Sequence, residues 1–253
     1  MSLMSEQLAK QLFDAISRDE PASAIMALVE RGASTESYRL LAGATPMHLA
    51  AARGCPHVIE ALLPISDLFA KDWQGRSALF IAASSNQLLA ARMLLPFSDV
   101  DAKNNSGFTP LGIAIHEGFY ELALHLAPHA DHFKPCSPHG LNPLMLAAAS
   151  GSAELVAALL PSSDPAAKAG DGWTALMFAA QCGAESVVSL LAPLSELDAR
   201  CSATGWAAAD FASEKGYQEL AENLWAMSAC RQERDLLNSS TARGSTRSPK
   251  LAL

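Results

Sequence analysis

The sequence is poor in aromatic residues, at 6%, and no apolar run approaches the roughly 18 residues that cross a bilayer as a helix. The first shortage suits thin layers filled by Ala and Leu. The second excludes a membrane-spanning helix. Cysteines are few: Cys55, Cys136, Cys182, Cys201 and Cys230, with no Cys-x-x-Cys pair. An odd, scattered set makes no disulfide framework and points to a reducing, cytoplasmic compartment. The opening "MSLMSEQLAKQLF" carries early charges and no long apolar core, so no secretory signal is expected there. Cations are outnumbered, 18 Lys and Arg against 26 Asp and Glu. Because residues 231–253 carry +3, a net charge of −8 leaves −11 on the rest. So acidic a body is a poor duplex binder, since phosphate contacts need Lys and Arg. Gly-x-Gly-x-x-Gly, a phosphate-binding loop, Gly-x-Ser-x-Gly and a paired-His zinc helix are all missing, and with them the motifs for nucleotide, hydrolase or cofactor chemistry.

What is present is a repeat. "DGWTALMFAAQCG" at residues 171–183 has upstream counterparts "AGATPMHLAAARG", "QGRSALFIAASSN", "SGFTPLGIAIHEG" and "HGLNPLMLAAASG", and a degraded downstream copy, "TGWAAADFASEKG". Their first glycines, Gly43, Gly75, Gly107, Gly140, Gly172 and Gly205, are spaced by 32, 32, 33, 32 and 33. Such self-similarity determines the fold. Two residues on stand Thr45, Ser77, Thr109, Asn142 and Thr174, all helix N-cap types, with Pro46, Pro110 and Pro143 at the first helical position. Then comes an all-alanine column, Ala50, Ala82, Ala114, Ala147, Ala179 and Ala212, which predicts close helix approach. Gly54, Asn86, Gly118, Gly151, Gly183 and Gly216 predict left-handed helix ends. A second apolar segment runs into Pro64, Pro96, Pro128, Pro161 or Pro193, where it is expected to stop. The unit is turn, short helix, tight turn, longer helix, loop.

This pattern resembles the ankyrin repeat. The family signature Thr-Pro-Leu-His-x-Ala is nearly intact at residues 45–50. Where the family has Gly-Ala-Asp after the second helix, most copies here have Pro followed by a shortened "SD", which accounts for the period of 32. The resemblance covers about residues 8–226. It implies an all-α solenoid over residues 1–226: an N-terminal helical pair at 7–31, five full repeats over about 43–204, and a capping repeat at 205–226. Residues 227–253, rich in Ser, Thr and Arg, are expected to form a flexible tail.

The resemblance also implies hairpin-like fingers which, with the first helices, line a protein-binding groove. The finger residue after each glycine reads Ala44, Arg76, Phe108, Leu141, Trp173, Trp206, with Trp73 and Asp171 at neighbouring finger positions. Groove positions on the first helices include Arg53, His116, Glu117 and Gln181, with Ser84, Ser85, Ser150, Glu214 and Lys215. An exposed aromatic row marks a partner surface. The opposing reading is that Phe108, Leu141, Trp173 and Trp206 pack on one another.

Two rival sites are weighed. Cys182 aligns with Arg53, Ser85, Glu117, Ser150 and Lys215, a varied column that reads as surface. The run from His125 to His139 also holds His129, Asp131, His132 and Cys136, residue types that zinc takes, but Pro128 breaks the helix that would align His125 with His129. The reading is therefore a non-enzymatic, monomeric binder of another protein (adaptor, scaffold or inhibitor) with no cofactor, small-molecule substrate, nucleic acid or membrane. The alternatives are a secreted bacterial effector signalled by the basic tail, a regulatory subunit of an enzyme, and a metal-dependent enzyme using the histidine run.

Overall fold

The computed structural model describes residues 3–36 and 42–244. Among the described residues there are fourteen α-helices and no strand. The chain divides into two compact units, residues 1–164 and 165–253.

The first unit opens with α1 (Leu3–Ser17) and α2 (Ala22–Glu30) and continues with four helix pairs. These are α3 (Pro46–Arg53) with α4 (Pro56–Leu62), α5 (Ala78–Ser84) with α6 (Leu88–Leu94), α7 (Pro110–His116) with α8 (Tyr120–Leu126), and α9 (Pro143–Ser150) with α10 (Ala153–Leu159). First helices stack on first helices, α1 on α3, α5, α7 and α9 in turn, and second helices stack likewise. The second unit holds α11 (Ala175–Gln181), α12 (Glu185–Leu191), α13 (Ala208–Glu214) and α14 (Gln218–Gly244).

The repeat columns explain why these segments form. Thr45, Ser77, Thr109, Asn142 and Thr174 each accept a hydrogen bond from the backbone N–H three residues on, satisfying one of the orphan donors of the first turn. Ala207 has no such oxygen, and Asp210 compensates by accepting the Ala207 N–H at 2.8 Å. The six alanines of the close-approach column are all fully buried. Any larger side chain there would have to push two helices apart, at about 1–3 kcal/mol or more. The turn between the helices is left-handed at every copy, including Asn86 at φ 54°.

The α-helical part of each second helix ends two residues before Pro96, Pro128, Pro161 or Pro193, close to where these prolines are expected to stop it. Each proline stands second in a 3₁₀ turn, such as Leu95–Phe97, that prolongs the helix. A fixed proline φ fits this tighter winding, and its missing N–H leaves no donor to satisfy. The tail expected from residue 227 is not a tail at its start, because α14 runs to Gly244 without a break at 226. Its polar residues serve as fasteners. The Arg231 guanidinium donates to the Ala192 carbonyl at 2.9 Å and to that of Ser195. Ser228 and Gln232 donate to the Asp198 carboxylate and hold it below the usual carboxyl range. Residues 245–253 lie outside the described residues.

Candidate partner-binding edge

Five of the fingers are turns each closed by one bond between the flanks. The bonds are Asp72 N–H to Arg76 O, Asn104 to Phe108, Cys136 to Leu141, Ala169 to Trp173, and Cys201 to Trp206, all at 2.8–3.1 Å. Successive fingers are tied edge to edge by Trp73 N–H to Ala42 O at 2.9 Å and Asn105 N–H to Gln74 O at 2.8 Å in the first unit. Ser202 N–H to Asp171 O at 2.9 Å does the same in the second.

The second finger is the most heavily braced. The Asp72 side chain is 1% exposed and pairs with Arg76 Nη2 at 2.6 Å. It also accepts the N–H groups of Gln74 and Arg76, each at 2.9 Å. Burial alone would raise this carboxyl, but the Arg76 guanidinium and the two backbone donors together bring it below the usual range. Below, His48 Nε2 donates to Arg76 O at 2.9 Å while Nδ1 accepts the Thr45 N–H, which fixes a neutral ring. On this platform Trp73 is 66% exposed. Its indole rests on Gly43, where a β-carbon would stand 2.5 Å from indole Cδ1. With φ at +76°, that position suits glycine twice over.

The other finger residues are placed differently from an exposed row. Phe108 is half-buried and tilts against the His116 ring at 5.2 Å. Leu141 is buried, at 9%. Its finger sits down on α7 because Gly112 has no β-carbon, which would stand 1.9 Å from the Cys136 carbonyl oxygen, and that oxygen accepts the Thr109 N–H at 3.1 Å. Trp173 and Trp206 are half-buried. Trp173 packs on Phe178 at 4.7 Å and Phe211 at 4.3 Å, and Trp206 meets Phe211 edge-on at 5.3 Å. Leu141 is thus removed from the candidate surface, and Trp173 and Trp206 are brought together through Phe211. Arg53, His116, Glu117 and Asp171 are exposed, and Gln181 is half-buried.

Phe178 and Phe211 were not picked out from the sequence, yet a signal existed. In the column just before the buried alanines, the residues are Leu49, Ile81, Ile113, Leu146, Phe178 and Phe211. Phenylalanine occurs there only in the two copies whose finger residue is Trp.

The histidine run is spread over separate local contacts. His132 is buried and Nε2 donates to the Ala127 carbonyl at 2.6 Å. Asp131 is paired with Lys134 at 3.0 Å. Cys136 is buried, which pushes its thiol up to about 12. His129 and His139 face solvent. Among the described residues no three His, Cys, Asp or Glu side chains converge on a metal-sized space. Cys182 is exposed, with burial of its surroundings raising rather than lowering its thiol.

Comparison with known proteins agrees with this architecture. The family model for ankyrin repeats (3 copies) matches residues 12–104, 71–138, 90–169 and 144–234. No curated protein sequence matches the chain. Among solved structures, a chain in the complex of the Bd0816 predatory endopeptidase from Bdellovibrio bacteriovorus with immunity protein Bd3460 is similar. It has 24% identity and a TM-score of 0.63, over 71% of this chain and 96% of that one. The ankyrin repeat domain of Bcl-3, a member of the IkappaB protein family, is similar at 24% identity and a TM-score of 0.70, over 78% of this chain and 91% of that one.

Proposed function

Because the chain belongs to the ankyrin-repeat family, we propose that it is a non-enzymatic binding module that holds a protein partner on the fingers of its first unit, with Trp73 as anchor. The observation that carries this reading is the contrast in exposure. Trp73 keeps two-thirds of its surface in water on a braced finger, whereas the other finger aromatics lie against neighbouring rings. A rigid, exposed indole gives a large contact area at little entropic cost, the usual makeup of an interface hot spot. Arg53 at the end of α3 and Arg76 beside Trp73 add donors to the same edge.

The non-enzymatic part rests on the side-chain chemistry. Cys55 and Cys136 have thiols pushed up to about 11 and about 12, with burial the main cause, so neither is a thiolate nucleophile at neutral pH. A cytoplasmic setting belongs to the same proposal and is supported by the odd, scattered cysteines. The test is affinity capture with the intact chain as bait, in parallel with Trp73→Ala and Trp173→Ala. A partner retained by the wild type and by Trp173→Ala but lost by Trp73→Ala is the expected result. Equal capture by all three baits would sink the assignment.

A further inference from the structure

The fingers and first helices of the first three repeats occupy residues 42–54, 71–86 and 103–118. They hold four cations, Arg53, Lys71, Arg76 and Lys103, against two carboxylates, Asp72 and Glu117. Asp72 is buried and clamped by Arg76, and Asp101, two residues before Lys103, is half-buried and accepts the Asp131 N–H at 3.1 Å, so Glu117 is the one fully exposed carboxylate among these residues. A chain of net charge −8 therefore carries an excess of cations here, with Lys71 and Arg76 on the finger of its most exposed tryptophan.

The placement of the cations is regular. Lys71, Lys103, Lys168 and Arg200 each stand directly before a finger, and Lys134 stands one residue further back in the fourth. Three of these five are engaged within the fold. Lys134 pairs with Asp131 at 3.0 Å, Lys168 with Glu196 at 3.0 Å, and Arg200 donates to the Gly205 carbonyl at 2.7 Å and lies 3.9 Å from Asp210. Lys71, Lys103 and Arg53 are exposed and make no ion pair among the described residues. Charges beyond about 8 Å are screened at physiological ionic strength. At Lys71 and Lys103 an approaching segment accordingly meets cations that no carboxylate of the described residues pairs.

We propose that this edge takes an extended, acidic segment of a partner protein, with one apolar side chain of that segment seated on Trp73 and its carboxylates on Arg53, Lys71 and Lys103. The inference rests on the finger reading above and adds the chemistry of what binds. Exposed ion pairs are each worth about fivefold in affinity or less, so the cations select and orient while the indole supplies the hold. Lys71 and Lys103 occupy the same place in successive fingers that are tied by the Asn105–Gln74 bond. A segment meeting both runs from finger to finger, as an extended chain does.

The test is selection of a random twelve-residue peptide library displayed on phage against the intact chain, followed by fluorescence anisotropy of the enriched peptides. The expected winners are rich in Asp and Glu around one aromatic or leucine. Their binding should weaken about thirtyfold or more in Trp73→Ala, weaken about tenfold in the Lys71→Glu, Lys103→Glu double variant, and fall steeply with added salt. Circular dichroism melts of both variants should match the wild type, since all three side chains are exposed. Neutral or basic winners that still need Trp73 would overturn the acidic inference and leave the finger reading standing. Winners indifferent to Trp73 and both lysines would overturn both. A library that yields no winner would overturn the extended-segment inference, with the capture experiment deciding the finger reading.

Discussion

Trp73 and Trp173 stand on fingers drawn from one template, yet they are put to different uses. Trp173 lies between Phe178 and Phe211, so most of its value is already realised in the folded chain. Trp73 stands two residues before its turn glycine, Gly75, whereas Trp173 stands one residue after Gly172, and Trp73 stays open to solvent. The cations before the fingers differ too, with Lys134, Lys168 and Arg200 bonded within the fold and Lys71 and Lys103 without an ion pair among the described residues. An aromatic on a finger is therefore not by itself a binding residue. Its place on the finger separates a staple from an anchor, since Phe108, which like Trp173 follows its turn glycine, is also half-buried, against His116.

The strongest way to break this comparison is at Phe211, which is buried and touches both Trp173 and Trp206. Phe211→Ala should cost about 3–5 kcal/mol, which for a chain of this length lowers the melting temperature by roughly 6 °C or more. Partner capture at 10 °C should survive, since the binding edge lies in the other unit. An unchanged melting temperature would remove Phe211 as the staple and return both tryptophans to the candidate surface.

Next in size is the tryptophan pair itself. Trp173→Ala should lower stability by about 1–3 kcal/mol through lost ring packing and burial, with partner affinity unchanged. Trp73→Ala should shift stability by no more than about 0.5 kcal/mol and cost about 2 kcal/mol of binding. Urea melts and binding isotherms on the same two proteins check both halves. The reverse pattern, with Trp73 stabilising and Trp173 binding, would overturn the division of roles.

Much of the fold was legible because the repeat prints each structural need five or six times over. The caps, the buried alanines and the left-handed turns are each dictated by one backbone position, so a column of chemically equivalent residues can be read directly. The site was legible only in part. Leu141 reads as exposed until Gly112 is seen to let the fourth finger settle on α7 through Cys136, a contact between residues 24 apart that no single column shows. Trp173 and Trp206 read as a row on one edge, but their exposure is set by Phe178 and Phe211 on a different column. The start of the presumed tail was misread because Ser, Arg and Gln suit both disorder and helix fastening, and only the carbonyls offered by Ala192 and Ser195 separate the two.

A smaller effect separates the two units by pH. All seven histidines lie in the first unit. His48 beneath the Trp73 finger has its pKa lowered, chiefly by burial, with the Arg76 carbonyl and Asp72 acting in the opposite sense. His125 is lowered in the same direction, by burial and then by Arg92 and His129. The folded state therefore binds fewer protons than the unfolded one. The stabilisation is fully present above the unfolded value of about 6.5 and is lost as pH falls below it toward the folded value. Denaturant midpoints should fall between pH 7.5 and 5.5 in the wild type and fall less in His48→Gln. Equal falls in the two proteins would show that His48 does not carry the effect.

The smallest expected effect tests the charge around Trp73 without any partner. One variant keeps only Trp73, with Trp173, Trp206 and Trp225 replaced by Phe, and a second keeps only Trp173. Collisional quenching then reports both exposure and local potential. Iodide should quench Trp73 more efficiently than caesium, because Lys71 and Lys103 on the two tied fingers concentrate anions there, and the gap should close as salt shortens the screening length to about 4 Å near 0.5 M. Trp173 should be quenched less by either ion, since its ring is half-buried between two phenylalanines. Caesium outdoing iodide at Trp73 would mean that the edge is not positive, and the case for an acidic partner segment would fall with it. Equal quenching of the two tryptophans would mean that the first unit closes over its indole as the second does. The division between anchor and staple would then lose its basis.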